Sequence, residues 1–187
     1  QIERDLREAA DFNVAKAQYV SDIADYVGEL GLREQGKYTS GGPNAGFNAK
    51  ASYILGGQIK GQPTELYMIY PEGNHITSSE QYPFLQIGET KYGKPILDRI
   101  IRPDTPHEIA MRCALVSMDS TMRSNATVGP PIELLYYKAD SLADPAEYCK
   151  FEDNDDYLVS LRRSWDDNIH TAFSELPSLE QVFSAGE

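Results

Sequence analysis

Hydrophobic and polar positions alternate in two rhythms along this chain. Ala17, Val20, Ile23, Ala24, Val27 and Leu30 recur every three or four residues, the spacing that places side chains on one helical face. Asn13 is a capping residue type and Gly31 a terminating one, so a helix is predicted between them. Ahead of it, "QIERDLREAA" (1–10) has good helix formers and no preceding cap, and reads as the remainder of a helix. Residues upstream of Gln1 are therefore expected to exist. "GKYTSGGPNAG" (36–46) has the composition of a loop. The runs "FNAKASYILGGQI" (47–59) and "ELYMIYP" (65–71), joined by "KGQP", then predict an antiparallel hairpin. "EGN" (72–74) turns into a short run from His75 to Ser78, and Gly56-Gly57 predicts a bulge or a close backbone approach.

The helical rhythm returns in "FLQIGETKYGKPILDRII" (84–101). Pro95 fits only a first turn, so the helix should begin near Tyr92–Lys94, leaving Gly88, Glu89 and Thr90 in the loop before it. Thr105 and Glu108 predict a capping box with Pro106 at the first helical position. In that helix Ile109, Cys113 and Val116 line one face, with Ala110 and Ala114 beside it, which makes Cys113 a core residue. The helix should end at Arg123-Ser124-Asn125, followed by Thr127, Gly129 and a strand, "PIELLYYKAD" (131–140). "EDNDD" (152–156) opens a last helix with Leu158, Leu161, Trp165, Ile169 and Ala172 on one stripe. Strands and helices come in groups and do not alternate, which predicts an α+β architecture.

Composition narrows the function classes. At 187 residues the chain is read as one domain, with 41% hydrophobic and 25% charged residues as in globular proteins. A formal charge of −12 argues against nucleic acid as partner, since displacing counterions needs a basic patch. No apolar run approaches the roughly 18 residues of a membrane span, and none reads as a secretory leader. Cys113 and Cys149 are isolated thiols that need no disulfide, which predicts a reducing, cytoplasmic setting. "NAT" (125–127) matches a glycosylation acceptor with no other sign of secretion. The acidic run at 152–156 lacks the spaced ligands and turn glycine of a calcium loop, and is read as a helix cap. His75, His107 and His170 lack metal-ligand spacing, and no phosphate-binding, dinucleotide or serine-hydrolase motif is present. No metal or cofactor is expected.

The order of the segments resembles a family. "YILGGQIKGQPTELYMIYPEGN", then "FLQIGETKYGKPILDRII", then a helix ending "DSTMRSNATVGPPIELLYY", is similar to the central and C-terminal part of proteasome β-type subunits. "GETKYGKPILDR" and "STMRSNATVGPP" resemble the bacterial branch called Anbu, the ancestral β subunit. The likeness is strong over about 47–140 and looser elsewhere. It implies a four-layer αββα sandwich of the N-terminal nucleophile hydrolases, with the first strands upstream of this chain. It also implies a threonine-type peptidase whose nucleophile is the mature N-terminal residue, working on peptides in a ring or spiral homo-oligomer. Gln1 carries no nucleophilic hydroxyl or thiol, so the nucleophile is expected upstream, and the chain alone is expected to be inactive.

What remains here by resemblance is a supporting shell. Arg123 matches a family Arg, Ser124 stands where Asp is usual, and Thr127 stands for a Ser. Gly129 and Gly88 match glycines, and Glu89 stands where a supporting Ser is common. Ser124, Asn125 and Thr127, with Gly88, Glu89 and Thr90 of the other loop, are the candidate brace for the nucleophile. The competing readings are a helix end with local hydrogen bonds only, and a non-catalytic assembly or binding scaffold on the same fold.

Overall fold

The computed structural model describes residues 1–39, 48–142 and 147–179. They fall into two compact units, each with its own packing. The first holds Gln1–Thr90, Ile101–Thr105 and Leu135–Glu147; the second holds Lys91–Ile100, Pro106–Leu134 and Tyr148–Glu187.

In the first unit the helix expected from Asn13 starts later. Asn13 is buried, and its side chain accepts the Ala15 N–H to cap a single 3-10 turn, Val14–Lys16. Helix α1, Ile2–Arg7, precedes this turn, and α2 runs Val20–Thr39. The true start signal is Asp22, whose carboxylate accepts the backbone N–H groups of Gln18 and Tyr19, both at 2.9 Å. Gly31 does not end α2, and residues 36–39 of the expected loop form its last turn; residues 40–47 lie outside those described. The glycines of α2 have a packing reason. A Cβ on Gly28 would stand 2.2 Å from the carbonyl oxygen of Gly73, and one on Gly31 3.6 Å from the Tyr53 ring.

The hairpin is present as strands β1, Tyr53–Gln58, and β2, Thr64–Ile69, paired antiparallel, with β3, His75–Thr77, antiparallel to β2. Strand β1 is shorter than the run 47–59. Gly56 and Gly57 pair in unbroken register with Leu66 and Glu65, so the expected bulge is absent. Val20 and Ala24 of α2 pack on Tyr67 and Ile69 of β2 as the core, with Val27, Leu55 and Ile59 around them. Gln58 closes the far end. Its Oε1 accepts the Tyr137 hydroxyl and the Asp140 N–H, both at 2.8 Å, and its Nε2 donates to Gln62 O at 2.7 Å and Asp140 Oδ1 at 2.8 Å.

The second unit is built on three helices: α3, Lys94–Ile100; α4, His107–Ser124; and α5, Asp156–Ser174. The first two pack closely, as the pattern predicts, because Gly93 sits against α4: a Cβ there would fall 2.2 Å from Ser117 Oγ. The cap position falls one residue later than expected. Pro106 takes the cap position without a side-chain cap bond, and the Thr105 hydroxyl turns back to accept the Arg102 N–H at 2.7 Å. Strand β4 covers Ile132–Tyr136, shorter than the expected 131–140, and pairs with β5, Glu147–Phe151, which the sequence reading missed. Leu115, Ile132 and Leu158 form the core of this unit, with Met122, Leu134, Phe151 and Leu161 against it. The α5 stripe is buried only near its start: Leu158 is inaccessible, while Ile169 and Phe173 are exposed.

The acidic run before α5 is a cap. Asp155 accepts the N–H groups of Tyr157 and Leu158 at 2.9 and 3.3 Å. Asp155→Ala should therefore lower stability by about 1 kcal/mol, read as a shift in urea midpoint, with Asp155→Asn close to wild type.

Candidate functional site

The passage that leaves α4 is organised by one side chain. Asn125 is the C-cap, with φ −136°, and its N–H donates to Thr121 O at 2.9 Å. Asn125 Oδ1 then accepts the Thr127 N–H at 2.9 Å and the Thr127 hydroxyl at 2.7 Å. The Val128 N–H donates to Asn125 O at 3.1 Å and closes the turn. This is an Asx turn, in which a short side chain stands in for backbone. Its chemical consequence lies on Thr127: the one hydroxyl proton goes to Asn125, so the oxygen presents lone pairs outward and can accept a hydrogen bond. Ser124, Thr127 and Gly129 are exposed and Asn125 is half-buried. The Pro130–Pro131 peptide, which is cis, leads into β4.

Buried polar groups lie behind the passage. Thr121 donates its hydroxyl to Ser117 O at 2.8 Å, and both side chains are buried. Asp119, with 8% of its side chain exposed, is met by Arg162 Nε of α5 at 2.5 Å. Arg162 also approaches Asp153 Oδ1 at 3.6 Å. Arg123 donates to Asp166 at 2.8 Å, and that carboxylate holds the guanidinium pKa above its ordinary value. A cavity of about 450 Å³ is walled by Asp119, Arg162 and Met122 and by Ala126, Val128, Gly129 and Pro130 of the passage. Sequence reading missed Asp119, Arg162 and Asp166. A carboxylate within an otherwise well-buried helix was the available signal, but its partner lies 43 positions away.

The 88–90 loop belongs to the other compact unit. Gly88 has φ +80°, a left-handed conformation that favours glycine, and Glu89 and Thr90 are half-buried. Cys113 is buried, and burial raises its thiol pKa, which suits the core role expected of it and not a nucleophile's. His107 and His170 are exposed, and His75 pairs with Asp25 at 3.0 Å. Among the described residues no group of acidic, His and Cys side chains is placed to hold a metal ion, and no helix is long and apolar enough to cross a membrane.

No protein-family model and no curated protein matches the chain. Solved structures do. The helical assembly of the Anbu complex from Pseudomonas aeruginosa is 42% identical at TM-score 0.87, over 95% of this chain and 72% of that one. Anbu (ancestral beta-subunit) from Yersinia bercovieri is 35% identical at TM-score 0.86, over 95% and 73%. Anbu from Hyphomicrobium sp. strain MC1 is 37% identical at TM-score 0.83, over 95% and 72%. Identity at this level across nearly all of the chain carries the resemblance of its two motifs over to the whole of it: the chain belongs to the Anbu family of proteasome β-subunit relatives.

Proposed function

We propose that this chain is the central and C-terminal part of an Anbu-type peptidase subunit that hydrolyses peptide or amide bonds with an N-terminal nucleophile. The observation that carries the reading is the orientation of Thr127. Its hydroxyl proton is committed to Asn125, so its exposed oxygen is suited to accept a hydrogen bond from the N–H of an α-amine. A nucleophile whose own amine serves as base needs that amine held in one orientation, and such positioning is worth several kcal/mol of barrier. Ser124 adds a second exposed hydroxyl on the same passage. Glu89, after Gly88 and before Thr90, is a separate candidate for a supporting carboxylate.

The nucleophile and the first strands of an αββα sandwich are placed upstream, consistent with the 72% of the Pseudomonas chain that this one covers. Strand β1 supports this: it pairs with β2 on one side, and Tyr53 and Ile54 on it are exposed. We place the subunit in the cytoplasm as one β-type domain of a ring or spiral homo-oligomer, in line with the helical assembly of the Pseudomonas relative.

Two measurements test the reading. The polypeptide from Gln1 onward should show no threonine-type turnover. The full-length protein should have a mature Thr, Ser or Cys N-terminus by intact mass, and should cleave a fluorogenic peptide library in a manner blocked by an inhibitor of N-terminal threonines. Any other mature N-terminal residue would leave the fold serving as a scaffold.

A further inference from the structure

Two ion pairs of opposite sense join α4 to α5. On α4 an acid, Asp119, is followed one turn later by a base, Arg123. On α5 a base, Arg162, is followed one turn later by an acid, Asp166. The pairs are Asp119–Arg162 at 2.5 Å and Arg123–Asp166 at 2.8 Å. Sliding either helix by one turn, about 5.4 Å, would set Asp119 against Asp166 or Arg123 against Arg162. Apolar contacts alone do not reject such a slip strongly, because a helix presents similar ridges at each turn. Like charges brought together, one of them buried, do reject it.

We propose that this crossed pair is a register lock, and that Asp119, Arg162 and Asp166 are positioning residues for the 124–129 passage. The outer pair ends one residue before Ser124, and the inner pair walls the cavity behind Ala126–Pro130. A helix slip would carry Asn125 and Thr127 with it, because their turn is anchored to Thr121 O. The catalytic consequence rests on the peptidase reading above; the structural one does not.

Hydrogen exchange on the full-length protein tests the lock, read at the amides of Asn125, Thr127 and Val128, which make the turn. Arg123→Asp and Asp166→Arg should each speed exchange at these amides by about tenfold without moving those of Tyr67 and Ile69. The double variant R123D/D166R restores the outer pair but leaves only acids at these α4 positions and only bases at the α5 ones, so a one-turn slip meets no like charges. A lock predicts exchange still about tenfold faster than wild type, where ordinary pair stabilisation predicts recovery. Should the like-charge variants fail to fold, Arg123→Gln and Asp119→Asn keep the test open. Each removes one pair without repulsion and should speed the same three amides by a smaller factor. Unchanged exchange in the single variants, or a double variant restored to wild-type exchange, would overturn the lock. Turnover separates the two claims: kcat should fall at constant KM in the single variants and stay low in the double. A wild-type protein without turnover but with this exchange pattern removes the peptidase reading and leaves the lock standing.

Discussion

Gly28→Ala should lower folding stability by about 2–3 kcal/mol, measured as a reduced urea midpoint at unchanged m-value. Two effects oppose each other here. Alanine is the better helix former by about 0.8–1 kcal/mol, so in an open helix the substitution would stabilise. In α2 the added Cβ would lie 2.2 Å from Gly73 O, 3.0 Å from its C and 3.2 Å from its Cα. These are backbone atoms, with no rotamer to turn aside. The turn that holds them is itself secured: Tyr70 N–H donates to Asn74 O at 2.8 Å, Gly73 N–H to Tyr70 O at 2.9 Å, and Gln35 to Pro71 O at 2.8 Å. Gly73 also has φ +86° and faces Leu32, which its own Cβ would meet at 2.7 Å. Relief must therefore come from moving the whole turn or the helix, and overpacking outweighs propensity. Gly36, on the same helix with nothing within 4 Å of a Cβ, supplies the control: Gly36→Ala should stabilise by about 0.4–1 kcal/mol. Equal effects at the two positions would show that propensity alone governs both.

On the peptidase reading, Thr127→Val in the full-length protein should reduce kcat by about a hundredfold while shifting the urea midpoint only slightly. Valine keeps the branched shape and deletes the hydroxyl. The local structural loss is one exposed side-chain hydrogen bond to Asn125 at 2.7 Å, since the Thr127 N–H still reaches the same Asn125 oxygen at 2.9 Å. Exposed hydrogen bonds of this kind contribute roughly 0.5–1.5 kcal/mol net, too little to unfold a domain. The functional loss is larger, because the Thr127 oxygen is the acceptor proposed to orient the α-amine. Thr127→Ser, which keeps the hydroxyl, should recover most of the turnover. Parallel losses of kcat and stability in Thr127→Val would make the residue a structural brace and remove it from the proposed site.

Local chemistry was readable wherever one residue acts on its own neighbours. Pro95 placed the start of α3 at Lys94, the hairpin at 53–69 followed from alternating runs, and the acid run at 152–156 was a cap, because each depends on backbone groups within four residues. The motifs around Gly88 and Arg123-Ser124 were enough to name the family, since they combine turn geometry with a helix end in a fixed order. Expectations failed where a distant element decided. Gly31 read as a helix end by propensity, yet it and Gly28 lie mid-helix because Tyr53 and the Gly73 turn pack against them. Thr105 looked like the capping residue, but Pro106 takes the cap position and the Thr105 hydroxyl accepts the Arg102 N–H. Strand β5, whose side chains are mostly exposed, carries almost no hydrophobic period and exists through its pairing with β4. The crossed ion pairs of α4 and α5 join residues 43 positions apart. The sequence by itself determined most of the elements other than β5, the turn chemistry of the 124–129 passage and the family. Tertiary structure alone decided helix lengths at glycine and the register of α4 on α5, because each turns on contacts whose partners the local chain does not contain.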